Sequence, residues 1–302
     1  MIPPLHAGEL AGLPPFDLGQ VLTQWVLEPF LILVVVGVTG SYLFGVWLLR
    51  SRGDRWPLVR LASFVLGMGM LAFATMSGLG AYDTTLLSVH MVQHMLLSML
   101  VPLLLALGAP VTLMLRTLPG RPRSWLLVLL HSRLAKGLTF APLTFLLFVI
   151  SPWALYFTGW YDASLRSDLV HDMMHVHLVL VGSLFFWPLV GADPLPGRIG
   201  YPFRLMTLFL TLPFHAFLGV TIMGQQELIG GSWYRSLRAD GLTWLPDPAE
   251  DQHLAGGILW GSGDLVGLVL LAVLFTQWVR SSMREAARED RRLDRLDRLE
   301  NR

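Results

Sequence analysis

Seven apolar runs divide this chain, at roughly 26–49, 58–80, 86–113, 140–158, 171–191, 203–224 and 257–279. Each is close to the ~20 residues an α-helix needs to cross a bilayer's hydrocarbon core. A chain so patterned has few ways to fold, because lipid offers no partner for backbone N–H and C=O groups and helices satisfy them internally. The expected fold is therefore an all-α, polytopic membrane protein, a seven-transmembrane-helix bundle embedded in a lipid bilayer. Composition agrees: 54% of residues are hydrophobic, only 14% are charged, and mean hydropathy is +0.57. Soluble domains carry nearer a quarter charged residues. No nucleic-acid partner is expected. Pro102 and Pro110 should bend or end the third span, and Pro213 sits inside the sixth, where freed carbonyls need other partners.

Orientation follows from the basic residues. Arg50, Arg52, Arg55 and Arg60 flank the first connection, and Arg116, Arg121, Arg123, Arg133 and Lys136 lie in the third. The fifth carries Arg198 and Arg204, and an arginine-rich tail follows the last span. The positive-inside rule then puts the N-terminus outside and the C-terminus in the cytoplasm. Glu28, Asp83, Asp162, Asp168, Asp247 and Asp251 fall on the outer side in this scheme. An acidic outer face would concentrate cations. The first nineteen residues, MIPPLHAGELAGLPPFDLG, contain no Lys or Arg and do not resemble a cleavable signal peptide. Three regions are expected: an extracytoplasmic segment 1–25, the transmembrane domain 26–280, and a charged helical tail 281–302. That tail alternates charge at helical spacing, as a solvated helix does.

With no cysteine, any metal site must use His, Met, Asp, Glu or backbone oxygen. The histidines gather on one side. SVHMVQHMLL places His90 and His94 at the outer mouth of the third span, and HDMMH places His171 and His175 at that of the fifth. Spacing of four sets two imidazoles on one helix face, a common metal-ligand arrangement. If the two helices face each other, four imidazoles converge. Ionisable groups at that depth are costly and point to function. His215, just after Pro213, is a further candidate; His177 points to another face and reads as a structural donor. His253 reads as interfacial, His131 and His6 as solvated. Asp172 and Asp264 are candidate outer partners of the ligands, although either could pair with Arg166 instead. Met91 and Met95 follow the third-span histidines directly. Imidazole with thioether suits copper, Cu(I) above all, but each methionine lies about 100° round the helix from the histidine before it, which favours packing.

Three segments, HMVQHMLLSMLVPLLLALGAPVTL, SPWALYFTGWYDASLRSDLVHDMMHVHLVLVGSLFFWPLVGADPLP and LPFHAFLGVTIM, resemble the integral-membrane cytochrome c oxidase assembly factors called CtaG in Gram-positive bacteria. The resemblance runs from about residue 25 to 280. It implies seven spans, a bacterial plasma (inner) membrane location, no enzyme activity, and a role in maturing a copper-containing haem oxidase. The implied partners are oxidase subunits and a periplasmic copper donor, and copper handling is the usual proposal for such proteins.

Other readings stand beside copper. Haem could use one imidazole from each of two facing helices, leaving the spacing within each pair unexplained. Zinc with Asp172 or Asp264 could activate water in an outer cavity, as a membrane-embedded hydrolase would need. A transporter should show a repeat between its halves, and none is visible.

Overall fold

The computed structural model describes residues 13–196, 199–239 and 241–300, and all their regular structure is helical. His6 and Arg198 lie outside them. After a short α1 (Gln20–Thr23) come α2 (Pro29–Ser51) and α3 (Leu58–Met76), the latter followed by the single turn α4 (Gly78–Tyr82). The third apolar run contains α5 (Leu87–Met95), a π-helical turn (Leu96–Leu100), α6 (Val101–Leu107) and α7 (Pro110–Thr117). Two short helices carrying basic residues, α8 (Gly120–His131) and α9 (Arg133–Leu138), lead to α10 (Ala141–Phe157) and α11 (Trp160–Arg166). The chain closes with α12 (Asp168–Val190), α13 (Tyr201–Gly224), α14 (Gly231–Ala239) and α15 (Pro248–Glu300).

Among the described residues, six helical stretches are long and apolar enough to cross a membrane, and there are seven if α10 and α11, bent by 64°, form one span. These are the helices of a multi-pass membrane protein. A 23-residue helix such as α2 is about 34 Å long at ~1.5 Å per residue, enough to cross.

The prolines act as expected in part. Pro110 opens α7 at its first turn, after Ala109 turns the chain through a left-handed conformation (φ 49°). Pro102 lacks an N–H, and its ring would collide with the carbonyl four residues back. That carbonyl is Ser98's, inside the π turn, where the widened backbone accommodates the proline without breaking the helix. Pro213 sits within an unbroken α13.

The seventh span departs most from the hydropathy pattern. It starts at Pro248, not near 257, and continues unbroken into the charged tail to Glu300. Its first turns are polar (PAEDQHL) yet partly buried, because Asp251 and Gln252 hydrogen-bond to neighbouring backbone. Hydropathy alone cannot recognise a polar residue that is buried and satisfied.

Close backbone approaches tie the bundle together. The α13–α15 pair meets through glycines: a Cβ on Gly219 would lie 2.7 Å from the Gly256 carbonyl oxygen. On α12, a Cβ on Gly182 would run into the Ser98 carbonyl and the Pro102 ring, so α12 packs directly on the π turn. The N-terminal part of α5 packs on α15, and α2 rests at the edge against α3 and α7.

Two carboxylates cap helices from across the bundle. Asp251 Oδ2 accepts from Leu87 N at 2.6 Å and Ser88 N at 3.3 Å, and Ser88 Oγ donates to Asp251 Oδ1. Four orphan N–H groups open every α-helix, and here a carboxylate from α15 serves the start of α5. Asp193 does the same at the other end. It accepts from Thr112 N (2.7 Å), Thr112 Oγ1 (2.6 Å), Val111 N (3.3 Å) and Trp187 Nε1 (2.9 Å). The sequence GADP therefore locks the end of α12 to the start of α7.

Candidate metal centre

Asp83 follows α4 in the short link to α5, deep in the bundle and almost without solvent contact. Its Oδ2 accepts from His171 Nε2 at 3.0 Å and lies 3.7 Å from His175 Nε2. The two imidazoles lie edge to face one turn apart on α12, with ring centroids 4.4 Å apart and planes at 77°. One ligand atom from each of Asp83, His171 and His175 lies within 4.8 Å of the others. His175 Nε2 also lies 2.9 Å from Gln93 Oε1, and Gln93 Nε2 donates to Ala74 O at 3.0 Å. Gln93 thus fixes the His175 ring from α5 and is itself fixed by α3.

Burial alone would raise the Asp83 carboxyl, but His171 beside it, helped by His175 and His90, holds it below the usual carboxylate value. A carboxylate kept ionised between two imidazoles is a ready cation ligand. Metal–nitrogen and metal–oxygen bonds of about 2.0–2.2 Å put neighbouring tetrahedral donors about 3.3–3.6 Å apart. The 3.0 and 3.7 Å separations need only small shifts to meet that. His171 Nδ1 is buried with no hydrogen-bond partner, free to carry the proton that Nε2 must give up to bind a metal.

A cavity of about 380 Å³ opens onto this triad and is also lined by Glu28, Asp168 and Asp172. Its acidic wall suits a cation's approach. Among the described residues no methionine lines it.

The third-span pair forms a separate cluster. His90 and His94 are fully buried, with ring centroids 6.4 Å apart. Between them stands the Tyr156 hydroxyl from α10, 3.2 Å from His90 Nε2 and 2.8 Å from His94 Nδ1. The four imidazoles expected to converge are thus divided, two with a carboxylate and two with a phenol.

The sequence model for the family described as cytochrome c oxidase caa3 assembly factor (Caa3_CtaG) matches residues 40–281. The chain belongs to this family. Among its relatives are uncharacterized proteins of Mycobacterium bovis and Mycobacterium tuberculosis, each 42% identical over 287 residues. An uncharacterized protein of Mycobacterium leprae is 37% identical over 288 residues. Each alignment covers 93% of this chain but 43% of the relative, so the chain spans less than half the length of these relatives. No solved structure matches it.

The remaining candidates of this Caa3_CtaG-family chain lie apart from the triad. His215 is buried on α13 with its ring 5.3 Å from that of Phe148 and against Gly263 of α15. Asp264 Oδ2 accepts from Trp260 Nε1 at 2.9 Å, and its Oδ1 is buried without a partner. Asp172 reaches the cavity wall without joining the triad. Arg166 pairs with Asp162 at 2.9 Å and with Ser232, not with Asp172 or Asp264. Met91 and Met95 are buried in the main hydrophobic cluster, where their thioethers pack. His177 meets Ser151 Oγ at 2.5 Å and edges Trp160, a structural contact. His131 and His253 are exposed. Sequence reasoning missed Asp83, Gln93 and Tyr156, which come from three different elements. An acidic residue a few positions before an H-x-x-x-H helix was the one available signal.

Proposed function

We propose that this chain is a membrane-embedded assembly factor that receives copper at Asp83, His171 and His175 and supports metallation of a haem-copper oxidase. Family membership supplies the oxidase. Copper rests on one observation, the convergence of a buried carboxylate and two imidazoles on an acid-lined cavity. Two nitrogens and a carboxylate oxygen suit Cu(II), and three protein ligands leave a position open for exchange. Copper is cargo here: neutral imidazoles and Asp83 bind it, and ligand exchange with the similar histidine sites of an oxidase subunit passes it on.

The distribution of Arg and Lys supports an N-terminus outside and a C-terminus in the cytoplasm of the bacterial plasma membrane. In that orientation the cavity faces the outer compartment, where a periplasmic copper donor would load it. Segment 1–25 would then lie outside, 26–280 in the membrane, and 281–302 in the cytoplasm.

Haem fits less well. A ligand pair drawn from the two helices would have to break both clusters, since Tyr156 engages His90 and His94 while Asp83 and Gln93 engage His171 and His175. Zinc is chemically compatible with the donor set, so the metal must be measured. Elemental analysis and an optical spectrum of purified protein should give copper without a Soret band, and His171→Ala/His175→Ala should lower its copper content. Zinc in place of copper, or undiminished copper in that double variant, would overturn the proposal.

A further inference from the structure

The His90–Tyr156–His94 cluster is not explained by the outer triad. His90 and His94 lie on one face of α5, and both are wholly shielded from solvent. A phenol has one proton. If Tyr156 donates it to His94 Nδ1 at 2.8 Å, it can accept from His90 Nε2–H at 3.2 Å. That leaves His90 Nδ1 as a bare lone pair, and this atom is indeed buried with no hydrogen-bond partner. The bare Nδ1 can therefore take up the proton that Nε2 must give up to bind a metal.

The spacing also fits a metal. Donors bonded to one ion at about 2.0 Å lie about 2.8 Å apart in a square arrangement and about 3.3 Å apart in a tetrahedral one. The two contacts to the Tyr156 oxygen, 2.8 and 3.2 Å, span that range. Two imidazole nitrogens and a phenolate oxygen form a donor set for Cu(II), distinct in residues from the outer triad.

We propose that His90, His94 and Tyr156 form a second, inner copper station, to which an ion moves from Asp83, His171 and His175. This rests on the reading of the outer triad as a copper site. On binding, the phenol proton is released and the His90 proton moves from Nε2 to the bare Nδ1, so that His90 Nε2, His94 Nδ1 and the phenolate oxygen hold the ion. No electron is transferred. The inner station is fully buried while the outer lines an open cavity, so the two are ordered along an entry path.

The test uses the full-length protein in detergent, titrated with Cu(II) alone. Wild type should bind two equivalents and develop a visible phenolate-to-copper charge-transfer band. Tyr156→Phe keeps the ring and its packing; it should bind one equivalent and lose the band. His171→Ala/His175→Ala should lose one equivalent at equilibrium and fill the inner station more slowly. If Tyr156→Phe keeps both the stoichiometry and the spectrum of wild type, the inner station is overturned while the outer site stands. If the His171/His175 variant matches wild type in copper and rate while Tyr156→Phe loses an ion, the outer reading fails and with it the proposed path. A second variant, His94→Gln, guards against an unforeseen effect of the phenylalanine: retention of the band there would also overturn the inner station.

Discussion

Replacing Asp251 by alanine should destabilise the protein by about 2–4 kcal/mol. Its carboxylate accepts from Leu87 N–H (2.6 Å) and Ser88 N–H (3.3 Å) at the start of α5, and it also receives the Ser88 hydroxyl. Each buried donor left unpaired costs roughly 1–3 kcal/mol. Leu87 N–H, with the shortest backbone contact, should fall high in that range, and Ser88 N–H low. The Ser88 hydroxyl can rotate to another acceptor. Removing a desolvated carboxylate returns part of the loss, which brings the net to the figure above. The melting shift per kcal/mol falls with length and is ~2–4 °C for 150–250 residues, so for this 302-residue chain the fall should be a few degrees. The assay is thermal unfolding in detergent followed by tryptophan fluorescence. Asp251→Asn, whose amide oxygen can still accept from Leu87 N–H, should lose about half as much. A loss below about 1 kcal/mol for the alanine variant, or an asparagine variant no better, would refute the capping role. His90 lies one turn beyond this cap, so the variant should also loosen the copper chemistry proposed for α5.

Asp193→Ala removes four hydrogen bonds at the opposite end of the bundle and should cost about 3 kcal/mol or more. Copper stoichiometry should not change, since none of the proposed ligands touches it; titration and melting on the same sample separate the two effects. Gly182→Val should destabilise by about 1–3 kcal/mol through overpacking, because its side chain would meet the Ser98 carbonyl and Pro102; unchanged melting would show that α12 can move away from the π turn. Asp83 supplies a pH dependence. Its folded value lies below the ordinary 3.8, so its contribution is present above that value and is lost as pH falls through the lower folded one. Metal-free Asp83→Asn should therefore be less stable than wild type at neutral pH, with the gap closing at acid pH; a gap that widens on acidification contradicts the pairing with His171.

The apolar runs, the two H-x-x-x-H pairs and the family were all legible from the chain alone. Lipid makes this so: a crossing helix needs a continuous apolar stretch of fixed length, and two imidazoles at spacing four share a helix face whatever the rest of the fold does. The start of the seventh helix was not legible, because Asp251 and Gln252 are polar residues whose burial depends on backbone donors and acceptors contributed by other elements.

What only the tertiary structure decided is the grouping of ligands. Asp83 stands 88 positions from His171, and Tyr156 stands 62 from His94. Nothing local links them. Helical periodicity sets which residues share a face, but the packing of α12 on the π turn, allowed by Gly182, sets which faces meet. That packing divided four histidines into a carboxylate pair and a phenol pair, and it put Met91 and Met95 into the core. Sequence determined the helices and the imidazole-bearing faces, since both are properties of consecutive residues in a bilayer. The donor sets are a property of helix–helix contact, where one missing Cβ decides how closely two backbones approach.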